Sequence, residues 1–281
     1  MDALEKMNEA LRYIEDHLTE DIDLRVVAQK ACCSVYHFKR MFSFIAGVTL
    51  AEYIRRRRLT KAAFALKECD VKVIDIALAY GYQSADAFTR AFQHMHGVTP
   101  TAARQAGHLL TAYPPMTFHL SIRGGSEMNY RIEEKDAFKV VGLKKRVKLV
   151  STGENPEIVE VLDAISDETY AELEALSNMA PAGILNVCAN FSEEGSGAGE
   201  LDFYVAATTT KQAPAHFETL KIDVSSWAVF SIEGDWEDVQ ALWGRIYSEW
   251  FPTSGYEHAG GPEILGGTEE QSEIWIPVVK K

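Results

Sequence analysis

The feature that most narrows what this chain can fold into is one pattern used twice. Between Val73 and Phe92, Ile74, Ile76, Ala77 and Leu78 give a short helix an apolar face, Gly81 supplies the backbone freedom that ends it, and Ser84 stands where it caps a second helix. In that second helix Ala87, Phe88, Ala91 and Phe92 share one side, which leaves Asp86, Thr89, Arg90 and Gln93 on the other. The stretch from Leu24 to Phe42 repeats the grammar. Val27, Ala28 and Ala31 turn inward, Ser34 caps, and Phe38, Met41 and Phe42 form the buried side, with Tyr36, His37, Lys39 and Arg40 outside. Aligned on Ser34 and Ser84, the copies lie 50 residues apart. A capped helix held against its predecessor, with long polar side chains outward, suits insertion into a DNA major groove. One copy alone also fits an ordinary helical hairpin with a solvated face.

Two further helices frame the copies. Leu4, Met7, Leu11, Ile14 and Leu18 recur at helical spacing, and Leu50 through Leu59, Ala62, Ala63 and Leu66 read as one long connecting helix. If that helix sets the two outward helices about 34 Å apart, one polypeptide reads two groove segments without dimerising.

A net charge of −13 argues against DNA on its face, so its distribution matters. Residues 1–110 carry 15 Lys and Arg against 13 Asp and Glu, whereas residues 111–281 carry 13 against 28. The acidity therefore belongs to the second half, and a local basic surface decides phosphate contact more than the total does. The first half concentrates its positive charge in Lys39-Arg40, Arg55 to Arg58 and Lys61. Successive helical residues turn by about 100°, so the four arginines cannot all face one partner; one or two can touch phosphate and the others are ion pairs or solvated. No apolar run reaches the ~18 residues of a membrane span and no signal-like leader opens the chain, so a cytoplasmic location without membrane contact is expected. Of the four cysteines, Cys32 and Cys33 are adjacent and Cys69 and Cys188 stand alone, with no metal-ligand spacing. Buried or half-buried thiols are expected, with a redox role as the alternative, and no metal or cofactor.

Residues 1–107 resemble the DNA-binding domain of AraC-family bacterial transcription regulators. The resemblance rests on Ala28, Ser34, Phe38, Arg40, Phe42 and Gly47 in the first copy and on Tyr53, Arg57 and Ala62 in the connecting helix. It rests most on Ile74-x-Ile76-Ala77, Gly81-Tyr82-x-Ser84, Phe88, Arg90, Phe92, Gly97-x-Thr99-Pro100 and Arg104 in the second copy. It implies that Tyr36, Lys39 and Arg40, then Asp86, Thr89 and Arg90, face the groove, with Ser34, His37 and Ser84 on the same DNA-facing set. Double-stranded DNA is thus the expected partner, and RNA polymerase a further one. Leu50 stands where proline is usual, a harmless change at a helix start. Ala85-Asp86 replaces the commoner amides, and Asp86 can accept from cytosine or orient Arg90 but cannot donate to guanine.

Residues 108–128, with Pro114-Pro115 and Gly124-Gly125-Ser126, read as a linker with one short strand at Met116–Ile122. From Tyr130 the periodicity changes to strands at Tyr130–Glu134, Phe138–Leu143, Gly183–Phe191 and Leu201–Thr208, with a helix from Ile158 to Leu176. The same order recurs: strands at Phe217–Ile222 and Trp227–Gly234, a helix at Trp236–Phe251, and strands at Glu263–Leu265 and Glu273–Val278. The fold class expected is a two-domain chain, an all-α tandem helix-turn-helix domain followed by an α+β domain of duplicated β-β-α-β-β units with a groove between its halves. The glycine-rich turn Glu194–Gly199 lacks a phosphate-binding lysine and helix, so it has no nucleotide role. Residues 129–281 resemble the GyrI-like effector-binding domain, carried by Trp227–Gly234, Trp250, Ser254-Gly255-Tyr256-Glu257, Pro262-Glu263 and Glu273-Ile274-Trp275-Ile276-Pro277-Val278.

A pocket for an aromatic, cationic effector needs flat walls and a desolvated acid. Tyr204, Trp227, Phe230, Trp243, Tyr247 and Trp275 are the candidate walls. Glu263 matches the central glutamate of the resembling drug-binding domains and is the first choice for the charge, with Glu273 second. Taken singly, each aromatic also fits core packing and each glutamate an exposed surface. Two other functions stay open: a hydrolase in which Glu263 beside Tyr204 acts as general base, and a domain that sequesters another protein. With no nucleophile elbow, metal cluster or nucleotide loop, a non-enzymatic regulator is the expectation.

Overall fold

A computed structural model of the chain describes residues 3–68, 71–105, 107–118, 127–150, 154–192, 199–223, 225–234, 236–267 and 272–281. Seven helices come first: α1 (Ala3–Asp16), α2 (Leu24–Lys30), α3 (Val35–Ala46), α4 (Leu50–Glu68), α5 (Val73–Ala79), α6 (Ala85–His96) and α7 (Pro100–Ala103). The chain divides into two compact units, Met1–Val35 with Leu50–Ser121, and Tyr36–Thr49 with Ile122–Lys281. All of α3 beyond its first residue thus belongs to the second unit, not the first.

In the first unit Leu59, Ala62, Ala63 and Leu66 of α4 pack on Ile76, Ala77, Phe88, Phe92 and Ala103. Of the apolar face expected for α5, Ile76 and Ala77 are buried, but Ile74 and Leu78 are exposed. Gly81 ends α5 at φ 81°, where the Tyr82 amide donates to the Ala77 carbonyl. A Cβ there would meet the end of the flexible Arg58 side chain, which would have to shift, so the positive φ is what calls for glycine. Ser84 caps α6 by accepting from the Ala87 amide at 3.2 Å, and Gly97 closes the helix at φ 73°. The first copy makes its turn with Cys32 at φ 53° and the Cys33 amide on the Ala28 carbonyl. Cys32 is exposed, contrary to the expected burial, while Cys33 and Cys188 are half-buried and Cys69 lies outside the described residues.

Each of the four consecutive arginines of α4 has a partner within the chain. Arg55 and Arg56 both pair with Glu52, Arg57 takes Glu15 in a two-pronged grip, and Arg58 donates to the carbonyls of Leu18 and Glu20. The described part of the linker is not a strand. Met116 donates its amide to the Tyr53 hydroxyl at 3.2 Å, Tyr113 donates to Thr60, and Asn8 grips both the amide and the carbonyl of Phe118, at 2.8 and 2.9 Å. These side chains of α1 and α4 replace the partner strand, satisfying an extended backbone one group at a time. Residues 119–122 of the expected strand lie outside the described residues.

The second unit holds β1 (Tyr130–Lys135), β2 (Phe138–Lys148), α8 (Pro156–Asp163), α9 (Asp167–Leu176), β3 (Leu185–Ser192), β4 (Glu200–Thr208), β5 (Glu218–Ile222) and β6 (Ser225–Ile232). After these come α10 (Trp236–Arg245), a π-helical turn at Ile246–Trp250, α11 (Phe251–Thr253), β7 (Tyr256–His258), β8 (Glu263–Gly267) and β9 (Ser272–Lys280). The single helix expected at Ile158–Leu176 is two, because Ser166 caps a fresh start by accepting from the Thr169 amide. Most of the glycine-rich turn, residues 193–198, is outside the described residues.

All strands pair antiparallel, in one sheet of nine among the described residues, ordered β1-β6-β9-β8-β3-β4-β2-β5 with β7 beside β9. The order reads the same from either edge once β1 is exchanged for β5, β2 for β6, β3 for β8 and β4 for β9. That confirms the duplication, and each half begins with a strand that pairs in the other half, β1 with β6 and β5 with β2. Alternation splits the core in two. Val140, Val187, Tyr204, Trp227, Val229, Ile264 and Trp275 fill one cluster, while Val141, Phe203, Val205 and Ala207 turn the other way onto Leu173 and Leu176 of α9.

Candidate functional site

Glu263 opens β8 opposite Cys188 of β3. Its neighbour Ile264 enters the cluster of Trp227 and Trp275, so alternation turns Glu263 to the other face, where it is 1% exposed. Two side chains from the helix after β6 reach it. Tyr247 donates its hydroxyl to Oε1 at 2.7 Å and Trp243 donates Nε1 to Oε2 at 3.1 Å. Tyr247 lies in the π-helical turn, whose extra residue per turn shifts the phase of the side chains that follow. From β7, His258 brings Nε2 to 3.4 Å of Oε1. Its Nδ1 accepts from the Gly260 amide at 2.9 Å, which assigns the proton to Nε2, facing the carboxylate.

The fourth partner is Arg40 of α3. Its Nη2 and Nε lie 2.6 and 3.0 Å from Glu263 Oε1. The guanidinium carbon sits 4.3 Å from the ring of Phe191, 4.9 Å from that of Phe44 and 5.6 Å from that of Tyr247. This is a cation in an aromatic box closed by a carboxylate. Phe191 is aimed by a break in register between Ala189 and Ser192, with Asn190 at φ 50°. Phe44 stacks on Tyr247 at 4.2 Å with planes 5° apart. Tyr36 lies 4.8 Å from the His258 ring, and His37 Nδ1 accepts the His258 backbone amide at 3.1 Å while its ring meets Phe251.

Burial alone would push Glu263 toward its neutral form, yet the charge of Arg40, the nearby His258 ring and the hydrogen bond from Tyr247 outweigh it and hold the carboxyl at about 2. Burial likewise opposes the charge on Arg40, and Glu263 more than compensates. Burial, then His258 and Lys281, bring His37 down to about 3, and burial lowers His258 against the pull of Glu263. Burial and Glu263 raise Tyr247 well above the usual phenol range. Cys188 is raised to about 12, first by burial and then by Glu263, which leaves it inert. The site is therefore an anion kept ionised by one cation and surrounded by neutral histidines and phenols.

The other expected wall residues do not join it. Tyr204, Trp227 and Trp275 pack in the cluster on the opposite sheet face, so Tyr204 cannot assist Glu263 as an acid-base partner. Glu273 is half-buried, held by Arg131 at 2.7 Å and by the indole nitrogen of Trp275 at 3.1 Å. Phe230 stands edge-on to Trp250 at 5.0 Å and 90°. Of the eight residues expected in the pocket, the structure brings Glu263, Tyr247 and Trp243 together. Sequence reasoning missed Phe191, His258, Phe44 and Arg40. One signal was present: Tyr36, Arg40 and Phe44 follow one another by four on α3, and an aromatic at the third place is odd for a helix facing water or phosphate.

The DNA-facing residues separate by copy. On α6, Asp86, Arg90 and Gln93 are exposed, Thr89 is half-buried, and Ser84 caps. On α3 the expectation of an outward face fails for two residues, since His37 is 1% and Arg40 9% exposed. The physical cause is the cage, which offers Arg40 a carboxylate and three rings that water cannot match. Tyr36 and Lys39 are half-buried and Ser34 is exposed. Among the described residues no group of three or more His, Cys, Asp and Glu could hold a metal, and no helix is long and apolar enough to cross a membrane.

Comparison with known proteins agrees with both halves. A family model described as a GyrI-like small molecule binding domain matches residues 128–279, and a helix-turn-helix domain model matches residues 27–106. The chain is 40% identical over 103 residues to the probable transcription factor PqrA of Proteus vulgaris, covering 36% of this chain and 84% of that protein. It is 41% identical over 99 residues to the transposon Tn10 TetD protein of Escherichia coli, covering 35% and 72%. Among solved structures, that of SAV2435 bound to tetraphenylphosphonium aligns with 54% of this chain and 94% of its own, at 21% identity and a TM-score of 0.45.

Proposed function

This chain belongs to the GyrI-like small molecule binding family and joins that domain to the AraC-type helix-turn-helix of transcription regulators, and on that premise we propose that its effector is a planar aromatic cation taken up by Glu263. The observation that carries the reading is the pair Arg40–Glu263: a flat, delocalised cation already occupies the box, stacked among rings and bonded to a carboxylate 1% exposed. A buried carboxylate left without a cation costs several kcal/mol, about 3–5 when one partner of such a pair is removed, so the site selects positive charge by necessity. The rings select flatness. Double-stranded DNA is the macromolecular partner, through Asp86, Thr89 and Arg90 of α6 and the corresponding residues of α3. RNA polymerase is the downstream partner of such a regulator.

The role proposed for Glu263 is binding. With Arg40 in place the carboxyl is held at about 2, a weak proton acceptor at neutral pH.

The test is fluorescence titration of the full chain with rhodamine 6G, a planar aromatic cation. Glu263→Gln keeps the shape and removes the charge, and is expected to weaken binding by about tenfold or more, equivalent to ~1.4 kcal/mol. Unchanged affinity in a folded variant would remove Glu263 from this role.

A further inference from the structure

We propose that α3 is one surface with two alternative partners, and that the effector enters by taking the place of Arg40 on Glu263, which hands the face of Tyr36, His37, Lys39 and Arg40 to DNA. The inference rests on Glu263 as the effector's seat. It adds what must leave before the seat is free, and what the departing element does next.

Three observations converge on it. First, the occupancy is exclusive. Two nitrogens of Arg40 take Oε1 of Glu263, Trp243 takes Oε2, and the ring of Phe44 covers Tyr247. With Tyr247 also donating to Oε1 and the residue 1% exposed, a second cation has no open approach to Oε1 while the guanidinium is there. Second, the site survives the departure of α3. Glu263, Tyr247, Trp243, His258 and Phe191 come from β8, α10 with its π-helical turn, β7 and β3, so the acid, two donors and two rings stay behind. What leaves is Arg40, with Tyr36 and Phe44, one guanidinium and two rings, and the place they give up suits a flat aromatic cation. Third, the inserted residues have counterparts on α6. Tyr36, Lys39 and Arg40 correspond to Asp86, Thr89 and Arg90 across the 50-residue repeat, and Asp86 and Arg90 of α6 lie exposed. The arginine that the repeat aligns with exposed Arg90 is therefore bonded to a carboxylate of the same chain.

Thermodynamics makes the coupling reciprocal. A ligand of the undocked form binds with its intrinsic affinity reduced by the undocked fraction, and anything that holds α3 elsewhere removes that reduction. Effector must then strengthen DNA binding through α3, and DNA must strengthen effector binding by the same factor.

Hydrogen exchange of the Tyr36–Ala46 amides in the full chain reads the displacement directly. Saturating rhodamine 6G is expected to lower their protection tenfold or more, and to raise retention of a random-sequence DNA duplex pool. Arg40→Ala removes the internal competitor and is expected to tighten dye binding about tenfold, opposite in sign to Glu263→Gln. Should Arg40→Ala fail to fold, Phe44→Ala, which removes the stack on Tyr247 and leaves the ion pair, is expected to shift dye affinity the same way by a smaller factor. Dye that binds while α3 keeps its protection, or Arg40→Ala binding no tighter, overturns the displacement but leaves Glu263 as the seat. Dye bound equally by Glu263→Gln and wild type overturns the seat, and the displacement with it.

Discussion

Helices α3 and α6 begin from the same sequence grammar and meet opposite surroundings. Both bury a pair of aromatics on the inner side, Phe38 and Phe42 in one, Phe88 and Phe92 in the other, all at 1% exposure or less. On the outer side Arg90 is exposed, while Arg40 lies against a carboxylate and three rings. The inner face follows from periodicity, because apolar side chains at helical spacing have one thing to do in water. The outer face is a choice among partners, and long polar side chains with one aromatic among them leave that choice to whatever carboxylate or phosphate is at hand. Repetition of a motif thus predicts shared architecture more firmly than shared occupancy.

The sharpest way to break this contrast is to withdraw the carboxylate. Glu263→Leu strands Arg40 in an apolar box and is expected to cost about 3–5 kcal/mol of the docked state, seen as lower thermal stability and lost amide protection over α3. An effect no larger than that of an exposed substitution would mean that the pair contributes nothing to docking. At the other copy the expectation inverts. Arg90→Ala is expected to leave stability within about 0.5 kcal/mol while lowering specific DNA affinity by about 1–3 kcal/mol, measured by gel shift on a selected duplex. Equal DNA affinity would take Arg90 out of base recognition.

A smaller effect comes from pH. His37 is neutral when docked, at about 3, and faces His258, Phe251 and Lys281; once released it returns toward 6.5. A group with a lowered docked value contributes fully above 6.5 and loses its contribution as pH falls toward 3. Moving from pH 7.5 to 5.5 should therefore weaken docking by about 1.4 kcal/mol, with His258, beside Glu263, Arg40, Tyr36 and Tyr247, acting in the same direction. Glu263, docked at about 2, adds a loss of the same sign, because the undocked carboxyl keeps its burial and loses the cation that held it ionised. Protection of α3 that is flat from pH 7.5 to 5.5 would contradict the burial of these histidines.

Much of the architecture was legible because it follows from local spacing. The helices from Ala3 to His96, the break at Gly81, the cap at Ser84, and eight of the nine described strands are where alternation and turn residues put them; α7, the closure at Gly97 and β7 were additions. The site was legible only in part. Glu263 and the helix carrying Trp243 and Tyr247 could be nominated from a family pattern, but the sheet face of each strand residue decides who meets whom, and one step of register moved Tyr204, Trp227 and Trp275 to the far side. Phe191 depends on a register break beside a residue at positive φ, and Arg40 on a contact 223 positions away in the chain. Neither leaves a periodic trace.

The crossed placement of β1 and β5 decides how this domain can be taken apart. Because each repeat completes its sheet with the opening strand of its twin, trimming either arm strips an edge strand from the opposite repeat and not from its own.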